Sequence, residues 1–343
     1  MAYYDGTKLL SLKDLNGNDP EIFIVTTNRT GGKTTYFNRW AVNRFLKGKG
    51  KFGLIYRFVY ELDDIADKFF KDIGSLFFKG REFTAVRKAK GIYQELFLDG
   101  ISCGYALAIN SADQIKKYSH LFSDISCMIF DEFQSETNHY CADEVKKFIS
   151  VHTSVARGQG QMTRYVPVIM ISNPVSIINP YYVEMGISSR LQKNTRFLRG
   201  DGFVLEQGYN EEASEALKAS GFNRAFSNNS YVEYAGEAVY LNDNMTFIDK
   251  VEGYYDYIAT LKYKGSYFAI KEYPETGVIY VDDNADLGYR LKISVSTEDH
   301  DVNFVMLKRY DEFIQNLRFF FSRGCFRFKD LRCKEALMTA ISY

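Results

Sequence analysis

Residues 22–35 read IFIVTTNRTGGKTT. A short run of branched apolar residues ends at Thr27, and two glycines, a lysine and two threonines follow. Read as strand, loop and helix start, this is the layout of a phosphate-binding loop, whose pattern is G-x-x-x-x-G-K-[ST]. The eight positions here are TNRTGGKT, so Thr27 stands where the first glycine belongs. The chemical groups survive that departure. Loop N–H groups from Thr27, Asn28, Arg29, Thr30, Gly31 and Gly32, with the positive end of the next helix, cradle phosphate. Lys33 places a charge near the β- and γ-phosphates, and the Thr34 hydroxyl is a ligand for Mg2+. Thr27 is expected to keep ordinary β geometry as the last strand residue. The tight backbone conformations then fall to Gly31 and Gly32. A glycine turn with a chance lysine is the competing reading.

A second stretch weighs against chance. CMIFDE ends an apolar strand at Asp131 and Glu132, 98 residues after Lys33. Asp131 at a strand end can hold Mg2+ or its waters. Glu132 is the natural general base for a water attacking ATP. A third strand ends in ISNP, where Ser172 and Asn173 can bond that water or sense the γ-phosphate. Arg157 and Arg164 flank a glycine-bearing loop, and either can serve as an arginine acting on a neighbouring subunit's nucleotide, with Arg157 preferred.

Around these motifs the chain alternates strand and helix. Apolar runs at 21–27, 52–59, 103–109, 125–133 and 165–174 read as strands, with helical patterns after Thr34 and across 61–78 and a hairpin at 80–98. This predicts an α/β fold with a mainly parallel sheet, a P-loop NTPase domain of ASCE type over 1–200. Residues 201–250 are polar and read as a small linker region. Residues 251–343 hold short alternating segments, a strand-rich second domain.

The 343 residues are 46% hydrophobic and 25% charged, as in folded globular chains. No apolar run of about 18 residues predicts a membrane span, and the N-terminus lacks a signal-peptide core. Five scattered cysteines without a CxxC pair suggest a reducing compartment and no zinc framework. Net charge is zero but uneven. Residues 39–57 hold six basic side chains and no acid, and 303–334 hold eight basic against three acidic. Such patches attract a polyanion despite neutrality overall.

FIVTTNRTGGKTT, LIYRFVYEL, CMIFDEF, SVARGQG and ISNPVSIINPYY together resemble the DNA-packaging ATPases of small tailed phages, the phi29-like encapsidation proteins, which are compact relatives of terminase large subunits. The resemblance covers most of 20–185. It implies ATP and Mg2+ as cofactors and a homo-oligomeric ring, usually of five subunits. It implies double-stranded DNA, the portal or connector of a procapsid and a structural RNA as partners, with no membrane. The implied location is the host cytoplasm, transiently at the portal vertex and not in the mature virion. It assigns Lys33 and Thr34 to the first nucleotide motif, Asp131 and Glu132 to the second, Arg157 to the trans position, Ser172 and Asn173 to a coupling segment, and Arg57 to the nucleotide edge of the sheet. It also implies that the second domain is a vestigial RNase H-like nuclease. SYFAIKEY is taken as that domain's first strand, with Asp282 and Asp283 too few for two metals. Its basic residues (Lys308, Arg309, Arg318, Arg323, Arg327, Lys329) would contact nucleic acid or portal. A P-loop helicase or partition-type ATPase, and a nucleotide-gated scaffold without turnover, are the alternative readings.

Overall fold

The computed structural model describes the chain except for residues 1–3, 64–68, 138, 159–161, 189, 192–194, 228–231, 233–245, 309 and 343. It forms two compact units, Met1–Asn242 and Asp243–Tyr343.

The first unit is built on nine strands: β1 Ile22–Thr26, β2 Lys51–Tyr56, β3 Phe83–Lys88, β4 Tyr93–Leu98, β5 Ile101–Ala108, β6 Ile125–Asp131, β7 Val168–Ser172, β8 Phe197–Arg199 and β9 Phe203–Gln207. Their order in the sheet is β3-β4-β5-β2-β6-β7-β1-β9-β8. Every pairing from β5 through β9 is parallel, while the β3-β4 hairpin and β8 add antiparallel edges. β7 lies between β1 and β6, the arrangement that defines the ASCE division.

Parallel strands are buried on both faces, and side chains alternate between them. Phe23 and Val25 of β1 pack with Phe37, Ala41 and Val42 of the helix Lys33–Leu46. Ile24, Met128, Phe130 and Met170 point to the opposite face, against Phe148, Val151 and Val155 of the helix Glu144–Val155. Two apolar layers therefore clamp one sheet. Register then aligns the strand ends. Thr26 pairs with Ser172 on one side and Gln207 on the other, and Asp131 pairs with Ile171. Loops at this carboxyl edge are where open α/β sheets place ligands.

The expected boundary at 200 moves. β8 and β9 complete the first sheet, so the first unit runs through Asn242 and takes in most of the expected linker. The polar stretch after 200 read as a linker, but β9 pairs with β1 and β8 with β9. The later part of that linker, 228–231 and 233–245, lies outside the described residues.

The second unit holds β10 Asp256–Tyr263, β11 Ser266–Tyr273, β12 Val278–Asp282, β13 Lys292–Ser294, β14 Val305–Met306 and β15 Phe326–Phe328, ordered β14-β13-β10-β11-β12-β15. β10, β11 and β12 form an antiparallel meander, and β13 and β14 add in parallel beside β10. This is an RNase H-like sheet, with the helices Glu312–Ser322 and Leu331–Ser342 packing on its core. The strand that opens the meander is β10, not SYFAIKEY, which is β11. A hairpin turn at Lys264 and Gly265 joins the two, so the alternation of one continues into the other.

Candidate nucleotide site

The loop after β1 departs from expectation in two respects. Thr27 does not take positive φ, as expected, but the strand ends at Thr26. The left-handed residues are Thr30 (φ 62°) and Gly32 (φ 86°), not Gly31. Gly31 is instead closely packed: a Cβ there would lie 3.1 Å from Thr27 Oγ1 and 3.4 Å from the Asn28 carbonyl oxygen. A branched residue at left-handed φ costs roughly 1–2 kcal/mol. The loop is fastened on both flanks. Tyr4 N–H donates to the Gly31 carbonyl (2.8 Å), and Asn28, fully buried, exchanges hydrogen bonds with the backbone of Asn210.

The helix Lys33–Leu46 starts at Gly32 with no side-chain cap and no acid in its first turn. Its free N–H groups and dipole are left for an anion. Lys33 is buried, and its Nζ donates to Asn173 Oδ1 (2.7 Å). Burial lowers its pKa to about 8, with Arg29 adding to the fall and Asp131 and Glu132 opposing it. Burial raises Asp131 to about 6, against the pull of Lys33 and a hydrogen bond from Thr34. Ser172 Oγ is buried and has no partner among the described residues. The structure thus brings Lys33, Thr34, Asp131, Ser172 and Asn173 to one strand edge. Asp131 and Thr34 are hard oxygen donors of the kind Mg2+ takes, and a buried lysine at a helix start suits a triphosphate. The residues fit both groups.

Glu132 follows β6 with φ 56° and an exposed side chain. Its backbone is held on both sides. Phe133, fully buried, donates its N–H to the Ile171 carbonyl (3.2 Å), and Arg57 Nη2 reaches the carbonyls of Glu132 (3.3 Å) and Phe133 (2.8 Å). Arg57 thus braces the backbone of the Glu132 loop while lining the cavity that Glu132 and Asn173 also line. Its Nε bonds both oxygens of the buried Glu144 (3.0 and 2.9 Å), which also accepts from the Tyr181 hydroxyl (2.9 Å) and Cys141 N–H (2.9 Å). Sequence reading missed Glu144. It is 87 positions from Arg57, and only the fold joins them. It also missed Gln134, whose Oε1 accepts from Val175 and Ser176 N–H and ties the Glu132 loop to the segment after β7.

Arg29 forms an ion pair with Glu136 across the mouth of the site. The two candidate trans arginines now separate. Arg164 is spent on the Ile125 (3.2 Å) and Val155 (2.7 Å) carbonyls, closing the loop that follows the helix Glu144–Val155. Arg157, at the end of that helix, is exposed and has no side-chain partner among the described residues.

A model of the family described as "Podovirus DNA encapsidation protein (Gp16)" matches residues 1–341. The chain belongs to this family. Within that DNA encapsidation family, the chain is 24% identical over 330 residues to the DNA packaging protein of Bacillus phage phi29, covering 95% of this chain and 93% of that one. It is 26% identical over 318 residues to the DNA packaging protein of Bacillus phage B103, with 91% and 92% covered. Its fold matches a chain of the bacteriophage Phi-29 viral genome packaging motor assembly with a TM-score of 0.70 at 21% identity, over 100% of this chain and 98% of that one.

Proposed function

We propose that the chain is the ATP-hydrolysing subunit of an encapsidation motor, working as a ring at the procapsid portal in the host cytoplasm and driving double-stranded DNA inward. The observation that carries this reading is the strand-edge cluster of Lys33, Thr34, Asp131 and Asn173 within a family of encapsidation proteins. Lys33 would release Asn173 and bind the β- and γ-phosphates. Thr34 and Asp131 would hold Mg2+, which supplies charge neutralisation at the transferred phosphate. Glu132, kept in place by Arg57, takes the proton of the attacking water. Arg157 of one protomer completes the nucleotide site of the next.

The second unit is read as a nuclease fold without its chemistry. Lys271 Nζ pairs with Asp282 (2.6 Å), both nearly buried, and Lys329 and Arg332 engage Asp283. Both acids that the sequence offered for a metal are thus neutralised by cations. Among the basic residues expected to meet nucleic acid, Arg327 bonds backbone carbonyls and Lys329 is paired. Arg309 lies outside the described residues. Lys308 and Arg323 are exposed and Arg318 half-buried, with the Arg323 guanidinium over the Phe319 ring (4.3 Å), and these three would meet a polyanion, DNA or a structural RNA.

The deciding experiment measures ATP turnover with and without duplex DNA, with oligomeric mass recorded on the same samples. DNA-stimulated turnover by an oligomer is expected. ATP binding with negligible stimulated turnover would instead indicate a nucleotide-gated scaffold, and strand separation a helicase.

A further inference from the structure

The two flanks of the phosphate loop differ. β7 and β6 bring Asn173, Asp131 and Glu132 on one flank, and β9 lies on the other. Lys33 is turned toward Asn173, so the β- and γ-phosphates belong on the β7 flank. The nucleoside end of an extended triphosphate must then leave across the loop toward β9.

The turn after β9 is pinned to that loop. Gly208 N–H donates to the Thr26 carbonyl (2.8 Å), and a Cβ on Gly208 would stand 2.8 Å from Thr27 Cγ2, so the approach excludes a side chain. Asn210 N–H donates to Asn28 Oδ1 (2.9 Å), and Asn28 Nδ2 donates to the Asn210 carbonyl (3.0 Å). Asn210 also caps the helix Glu211–Ala219 by accepting from Ala213 N–H (2.9 Å). Tyr209 sits between these two fastened residues. Its side chain is exposed (54%) and has no ring, hydrogen-bond or ion partner among the described residues. One exposed tyrosine is ordinary surface. A tyrosine whose two neighbours both grip the phosphate loop, on the flank where a base must emerge, is placed for stacking.

We propose that Tyr209 is the stacking platform for the nucleobase, with Asn28 and Asn210 setting its distance from the phosphates. The proposal rests on the nucleotide reading of Lys33 and Asp131. Stacking on an aromatic face tolerates any base, so this contact gives affinity and little choice between ATP and GTP.

Calorimetric titrations of the full chain with ATP and with inorganic tripolyphosphate, which lacks a base, test it. Tyr209→Ala is expected to weaken ATP about tenfold, within the range of base–aromatic stacking, to leave tripolyphosphate unchanged, and to be rescued by Tyr209→Phe. Tyr209→Trp supplies a second readout: its emission should be quenched by ATP and not by tripolyphosphate. Undiminished ATP affinity in Tyr209→Ala overturns the proposal alone, as does an equal loss of both ligands. Failure of the unmodified chain to bind either ligand overturns the phosphate site itself.

Discussion

At single residues, conformation and charge decide what this site can do. Thr30 carries a left-handed φ that a glycine would carry more cheaply. Thr30→Gly should therefore be neutral or slightly stabilising and keep ATP affinity. Thr27→Gly, which restores the motif's lettering, should cost roughly 0.5–1 kcal/mol, because no positive φ is needed there. Chemical denaturation of both variants separates lettering from geometry. Charge acts in parallel. In the free enzyme Asp131 must be ionised and Lys33 protonated for Mg2+ and phosphate to bind. With Asp131 raised to about 6 and Lys33 lowered to about 8, kcat/KM should fall on both sides of that window. The profile of kcat should be broader, since bound triphosphate favours Lys33 charged and Mg2+ favours Asp131 ionised. Linkage has the matching sign. A raised carboxylate makes the apo protein lose stability as pH climbs from the ordinary Asp value through about 6. Asp131→Asn should consequently raise the apo melting temperature near neutrality while abolishing turnover, which calorimetry and a phosphate-release assay check together.

Elements add the constraint that no single residue supplies. The helix Glu144–Val155 begins with the carboxylate that grips Arg57 and ends two residues before Arg157. Its twelve residues thus join the support of Glu132 to the arginine offered outward. Arg57→Lys keeps a charge for Glu144 but loses the planar fork that also reaches the Glu132 and Phe133 carbonyls. It should lower kcat about ten- to hundredfold with the ATP dissociation constant unchanged. Glu144→Ala strands a buried guanidinium and should cost roughly 3–5 kcal/mol of stability. If Arg57→Lys weakens ATP binding and leaves kcat intact, the arginine contacts ligand directly.

For the whole molecule, the ring and the track are at issue. Mixing Arg157→Ala with Glu132→Ala subunits should restore some turnover at interfaces that pair an intact arginine with an intact glutamate. No rescue at any ratio would exclude Arg157 as the trans group. A motor must hold every sequence, so phosphate contacts should dominate and DNA affinity should fall steeply with salt. Within the basic stretch 39–57, Lys47 and Lys49 are exposed, while Lys51 pairs with Asp124 (2.8 Å), so the first two are the ones whose removal should flatten that salt slope. Plasmid incubated with the protein and Mg2+ or Mn2+ should stay uncut, because Lys271 and Lys329 occupy the acids a metal would need.

Local order already determined a good part of this. A branched strand running into GGKTT, and another ending in Asp and Glu, are contiguous signals, so the strand-loop-helix at Lys33, the strand that ends at Asp131, the parallel sheet and the strand-rich second unit were legible in the chain. The resemblance that ran through those same segments reached the family that the whole-chain comparison shows. Contacts that span the chain were not legible. Nothing near Arg57 announces Glu144, nothing in the loop announces Asn210, and the polar stretch after 200 read as a linker although β9 pairs with β1. Each depends on strand order and register, which place distant residues side by side at one sheet edge. Where the backbone turns left-handed, at Thr30 and Gly32 rather than Gly31, was likewise decided by the folded loop, in which a Cβ on Gly31 would crowd Thr27 Oγ1 at 3.1 Å.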